Sequence, residues 1–283
     1  MNILYVKIGY CANFIPDLAA AEKLLQILRY DPAHIAESLK TFLEGGHKLD
    51  DRGKAQASAM VDSDKLRVWL AEKETSSSLL VNGRCDMEAT EGQSPLSFVD
   101  AQLVRAFQRS KQVLVISHFS SLYWDPGNSS RGTPTVRMVG SLVGGLLTQM
   151  LAEGIEVDIS FLTKNDWKKL EGLELSKLCI VFRELTMQLP VGTVIFCLLD
   201  EVVVYETSSL SAEIDAIMRR LTRLVTKHTK VVFKLLVTSR GRSLDFQKYF
   251  RDEDILDLPT HVEIDDFAMW KVQNIGEEDR SHV

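Results

Sequence analysis

The sequence is short of most features that mark a metal-binding, secreted or nucleic-acid-binding chain. Its six histidines show no HExxH-type pairing, and its four cysteines, Cys11, Cys85, Cys179 and Cys197, lie too far apart for a Cys/His cluster. A metal centre made by the protein alone is therefore not expected. Scattered cysteines, three of them in or beside apolar runs, read instead as free thiols of a reducing compartment. Positive charge is also scarce: 33 Lys and Arg against 39 Asp and Glu leave a formal charge of -6 and a pI near 5.6. That balance lacks the clustered positive field a phosphate backbone requires, so nucleic acid is not an expected partner. No apolar run approaches the ~18 residues of a membrane span. The apolar opening, residues 1–11, is broken by Lys7 and Gly9 and lacks the basic start of a signal peptide. These absences predict a soluble cytoplasmic or nuclear chain without membrane contact. Ser-His-Asp, Cys-His and paired-carboxylate arrangements at catalytic spacing are missing too, which leaves hydrolysis of anything but nucleotides unsupported.

What is present is enough apolar material, 45% of 283 residues, to bury a sizeable core. Between residues 13 and 44, Leu18, Leu24, Leu25, Leu28, then Ile35, Leu39, Phe42 and Leu43 recur at helical spacing, with Asp31-Pro32 as the break of a helical hairpin. Gly45-Gly46 ends it, and a further helix is expected around 56–61, followed by a short apolar block at 66–70. A domain boundary is placed at Ser76-Ser77-Ser78, which makes residues 1–75 a small α-helical segment, 76–270 the main domain and 271–283 a disordered tail. From there short apolar runs alternate with amphipathic stretches, the pattern of an α/β fold with a covered parallel sheet. Strands are expected at 79–82, 112–117, 194–199, 231–238 and, more weakly, 261–264. Helices are expected at 96–108, 136–152, 175–189 and 210–228, and the Gly/Ser/Pro-rich stretch 125–134 reads as a mobile loop. The helix at 210–228 carries Arg219, Arg220, Arg223 and Lys227 beside its apolar stripe, a basic face read as a solvated surface.

Three strand ends carry residues with chemical potential. After the first strand comes Gly83, then Arg84, and Gly92-Gln93-Ser94 stands before Pro95 where a P-loop would have Gly-Lys-Ser/Thr. In such a loop backbone N–H groups cradle phosphate, lysine neutralises it and the hydroxyl holds Mg²⁺. Here the glycine spacing is four residues too long, no lysine occurs between Lys73 and Lys111, and Asp86, Glu88 and Glu91 face a single Arg84. The missing ammonium forfeits a charge-assisted contact worth roughly 1.5 to 3 kcal/mol. Two readings of the loop remain: Ser94-Pro95 is a helix N-cap with proline in the first turn, or the loop is a nucleotide site rescued by Arg84 or by a residue from elsewhere. The second strand end is Asp200-Glu201, with Tyr205 and Glu206 following; an acid here could hold Mg²⁺ and Glu201 or Glu206 could orient a water, or these are polar residues where a buried strand emerges. The third is Thr238-Ser239-Arg240, whose arginine could sense a γ-phosphate or simply cap the strand.

Taken together, 68–70 before 76–83, Glu91-Gly-Gln-Ser-Pro-Leu-Ser97, Phe196-Cys-Leu-Leu-Asp200 with Tyr205-Glu206, and Leu236-Val-Thr-Ser-Arg-Gly241 resemble the NACHT-like branch of the STAND class of P-loop NTPases, an AAA-related ATPase core, in particular a fungal set with a degenerate Walker A motif. The similarity covers roughly residues 69–266. It implies a three-layer P-loop NTPase-like core with parallel strand order 5-1-4-3-2 and a nucleotide-controlled switch in signalling. Carried over by position, Gly92, Gln93 and Ser94 match the phosphate loop, Asp200 the Mg²⁺-associated acid, Glu201 or Glu206 the water-orienting acid, and Arg240 the sensor arginine. Ser94 and Asp200 would be the Mg²⁺ ligands if Mg-ATP binds, with Gly83 and Arg84 beside it. The parts that follow the core in complete members are not expected within these residues. The leading expectation is a regulatory or scaffolding module with protein partners and weak or lost ATP hydrolysis. The alternatives are a working ATP- or GTP-dependent switch, and an interaction module without nucleotide.

Overall fold

Four of the expected strands exist, and residue alternation explains why they lie in the middle of the fold. The computed structural model describes residues 18–83, 94–110, 113–120, 132–227 and 230–259. In chain order the described elements are α1 Leu18–Leu28, α2 Pro32–Gly45, α3 Asp51–Asp62, α4 Asp64–Ala71, β1 Ser77–Asn82, α5 Pro95–Gln108, β2 Val113–Phe119, α6 Pro134–Ala152, α7 Lys164–Glu171, α8 Leu175–Gln188, β3 Val194–Asp200, α9 Ser211–Thr226, β4 Val232–Ser239 and β5 Ile255–Asp257. All strand pairs are parallel and their order is β2-β3-β4-β1-β5. Read from the other edge this is 5-1-4-3-2, the expected order. The strand expected at 261–264 and the tail at 271–283 lie outside the described residues, as does most of the loop expected at 125–134. The fifth described strand comes earlier, at Ile255–Asp257.

Successive strand residues point to opposite faces, so a sheet covered on both sides needs continuous apolar runs. Leu80, Leu114, Ile116, Ile195, Cys197, Leu199, Phe233, Leu235 and Val237 belong to the core shared with α1, α6, α8 and α9. Their neighbours Leu79, Val81, Val115, Phe196, Leu198 and Leu236 belong to the other, shared with α2, α3, α4 and α5. Residues before β1 thus cover both faces of the sheet. The basis is local: Asp31 caps α2 through Ala33 N at 2.9 Å, and Asp50 caps α3 through Gly53 N at 2.7 Å. Gly144 on α6 lets the Tyr30 ring of the α1–α2 elbow sit against the helix, since a Cβ there would meet it at 2.3 Å.

By length and composition α6, 19 residues, could cross a membrane, but it is mostly buried, packed against β2 and α8 as the central helix of its layer.

Candidate functional site

Parallel α/β sheets present ligand sites at the carboxyl ends of their strands, where loops replace the apolar pattern. Here β1 ends at Asn82-Gly83, β2 at Phe119-Ser120, β3 at Asp200-Glu201 and β4 at Ser239-Arg240. Gly83 sits where three elements meet: its N–H donates to Ser239 O at 2.8 Å and its carbonyl accepts from Gln56 Nε2 of α3 at 3.0 Å.

Beneath that edge lies a buried polar chain. Ser97 Oγ donates to Asp200 Oδ2 at 2.7 Å, and Thr238 Oγ1 lies 2.9 Å from both Asp200 Oδ1 and Asp100 Oδ2. A hydroxyl has one proton, so Thr238 can donate to only one of these carboxyls, and the other must donate to it. Asp200 already accepts from Ser97, whereas Asp100 Oδ1 is buried without a partner. The arrangement therefore reads Asp100–H to Thr238, Thr238 to Asp200, Ser97 to Asp200. Burial acts in the same direction: Asp100 and Asp200 are 0% and 1% exposed. Desolvation, set against the Thr238 hydrogen bond and reinforced by the Glu201 charge, pushes Asp100 up to about 8. Asp200 is raised as well, first by burial and then by the charges of Glu201 and Asp100. The pair holds a proton at neutral pH.

Glu201, the residue after β3, takes the left-handed conformation, φ 57° and ψ 43°, unusual outside glycine and costing of order 1 kcal/mol or more. Its carboxylate, 3% exposed as a residue, faces Arg240, with Nε 3.4 Å from Oε1. The following 3-10 turn, Val202–Tyr205, is fixed by its tyrosine: Tyr205 OH lies 2.8 Å from His118 Nε2, and His118 Nδ1 lies 2.8 Å from Ser141 Oγ. Ser141 Oγ donates to Met138 O at 2.8 Å, so Nδ1 carries the imidazole proton and Tyr205 donates to Nε2. Burial, then the charge of Arg137, lowers His118 to about 3, which keeps the ring neutral.

The structure sorts the expected residues. Asp200, Glu201 and Arg240 come together at one edge beside Gly83 and the start of α5. Arg84, Gly92 and Gln93 lie outside the described residues. Ser97, one turn into α5, hydrogen-bonds Asp200, while Ser94 Oγ, expected with Asp200 around Mg²⁺ if nucleotide binds, is buried with no partner and makes no cap bond. Glu206 turns away to anchor a loop, with Oε1 accepting from the backbone N–H of Asp245 at 3.0 Å and of Phe246 at 3.2 Å and from Ser243 Oγ, and Oε2 accepting from Leu244 N at 3.2 Å. Glu206→Ala should cost about 2 kcal/mol and Glu206→Gln about half that. Hydrogen exchange of the 244–246 amides checks this, since a loop held by other contacts would keep its protection.

Two observations bear on whether Mg-nucleotide fits. Ser94 Oγ and Ser239 Oγ are buried hydroxyls without partners, as an absent polar ligand would leave them. Against this, each Asp200 oxygen already accepts a hydroxyl, and Arg240 is held by Glu201. Among the described residues no group of three His, Cys, Asp or Glu side chains is arranged to hold a metal. Asp200 is thus engaged by the core, and the rest of the expected phosphate loop, residues 84–93, lies outside the described residues. Sequence reasoning missed Asp100, His118 and Ser97; the one available signal was an acid inside the otherwise apolar stretch Leu96-Ser-Phe-Val-Asp-Ala. Comparison with known proteins returned nothing: no family model, no curated protein and no solved structure matches the chain.

Proposed function

We propose that this chain is a P-loop NTPase-type domain of NACHT-like character that has lost efficient catalysis and serves as a cytoplasmic regulatory or scaffolding module for protein partners. The observation that carries this reading is the engagement of Asp200: the acid that would associate with Mg²⁺ accepts from Ser97 and Thr238 inside the core and shares a proton with Asp100. The stretch without lysine between Lys73 and Lys111 agrees with it. A second reading, a nucleotide switch in which Arg84 replaces the lysine, is favoured by the two unpartnered hydroxyls of Ser94 and Ser239.

A thermal melt separates them. The chain should shift by less than about 1 °C in millimolar Mg-ATP, Mg-GTP or their diphosphates. Ligand at ~100 times its dissociation constant adds about 2.7 kcal/mol, roughly 5 to 10 °C for a domain of this size. A shift of that order in the parent chain gives the switch reading the lead, and ATP turnover abolished by Asp200→Ala sinks the inactive one. A shift confined to a Gln93→Lys variant supports a degenerate loop.

A further inference from the structure

The basic face of α9 is exposed. It borders a groove of about 870 Å³ between α8 and α9, floored by Leu142, Phe182, Ile217, Leu221 and Leu224. That volume lies within the ~300 to 1,000 Å³ of ligand-binding clefts. At its edge Met187 is 47% exposed, an apolar side chain left to solvent beside an apolar floor.

The charges on the rim differ in kind. Arg219 is bonded to Asp215 at 2.6 Å and Arg183 pairs with Glu184. Arg220, Arg223 and Lys227, all exposed, have no carboxylate partner among the described residues; Arg220 reaches only the Ala216 carbonyl of its own helix, at 2.7 Å. Three unneutralised cations therefore stand on one rim of an apolar groove, on a chain whose formal charge is -6. Their positions, i, i+3 and i+7, spread them over about 10 Å of helix axis. A single anionic headgroup cannot meet charges so spaced. Carboxylates at the same helical interval can, on a helix lying along the groove with its apolar face on the floor.

We propose that the α8–α9 groove is the docking site for an acidic amphipathic helix of a protein partner. It lies on the face opposite α5 and does not depend on nucleotide, so it and the melt can fail separately.

The test uses the full chain and two labelled synthetic peptides of about five helical turns. Both carry the same leucine stripe, flanked in one by glutamate and in the other by lysine, and binding is read by fluorescence anisotropy. The glutamate peptide should bind saturably, at least tenfold tighter than its lysine twin, and should weaken as salt rises from about 50 to 300 mM. Arg223→Glu with Lys227→Glu should weaken it tenfold or more, and Met187→Glu should weaken it through the floor. All three positions are exposed, so the variants should melt with the parent. Equal binding of the two peptides, indifference to the charge reversals, or no binding by about 1 mM overturns the proposal. So does occupation of the groove by dodecanoate alone, or by a second copy seen on sedimentation without peptide.

Discussion

Asp100→Asn should flatten the dependence of stability on pH and leave the protein more stable than its parent in mild alkali. Asp100 is held up to about 8 in the fold, chiefly by burial, against roughly 3.9 in an unfolded chain. The stability gained from its neutral form is complete below about pH 4 and is lost as pH rises through about 8, with a limiting slope of about 1.4 kcal/mol per pH unit for one proton. Asparagine is the uncharged isostere: its amide can donate to Thr238, which keeps its own proton for Asp200. Urea midpoints at about pH 5, 6, 7 and 8 should fall for the parent chain and fall less for the variant, because Asp200 still titrates. Parallel curves would place the shared proton elsewhere. Asp200→Ala should destabilise at every pH, since it leaves the Ser97 hydroxyl buried without its acceptor.

Gly83→Ala should cost about 3 kcal/mol and lower the melting temperature by roughly 6 to 10 °C. The reason is steric. A Cβ at this position would lie 2.7 Å from the carbonyl oxygen of Arg240 and 2.5 Å from Leu96 Cδ1. Leucine can move, but the Arg240 backbone cannot without pulling on the Gly83 N–H bond to Ser239 and on the β1–β4 ladder. The same change in the open turn at Gly192 would meet nothing within 4 Å, although its φ of 84° makes alanine strained there. A Gly83→Ala protein that melts within about 2 °C of the parent would show that the strand edge is softer than this packing implies.

Much of this architecture was legible because the sheet is covered on both faces. Runs such as Val194-Ile-Phe-Cys-Leu-Leu are short, continuously apolar and carry β-branched and aromatic residues, which marks buried strands, and β3 and β4 lie within one residue of the expected bounds. The strand Ile255–Asp257 was not anticipated for a physical reason: it is three residues long, follows Asp252-Glu253-Asp254 and pairs only with β1, so neither length nor alternation marks it. Helix α7 was missed because it is polar, although Thr163 and Asp166 form the capping box that starts it. At the site, Asp200, Glu201 and Arg240 could be anticipated because strand ends must carry polar residues. Asp100 could not, because its significance is a distance to Thr238, 138 residues away, and no local pattern reports that.

The position of β1 bears on how the chain reaches this state during synthesis. It is among the first sheet residues to be made, yet both its neighbours, β4 and β5, come late, and Ser77 waits for Lys234, 157 residues on. At about 5 to 20 residues per second the ribosome needs roughly 8 to 30 s to supply that partner. During that interval Leu79, Leu80 and Val81 have helices at hand but no strand to pair with. The α2–α4 helices can shelter one face early, so the slow step of folding should be the closing of β4 onto β1, and fragments ending before residue 232 should aggregate rather than fold.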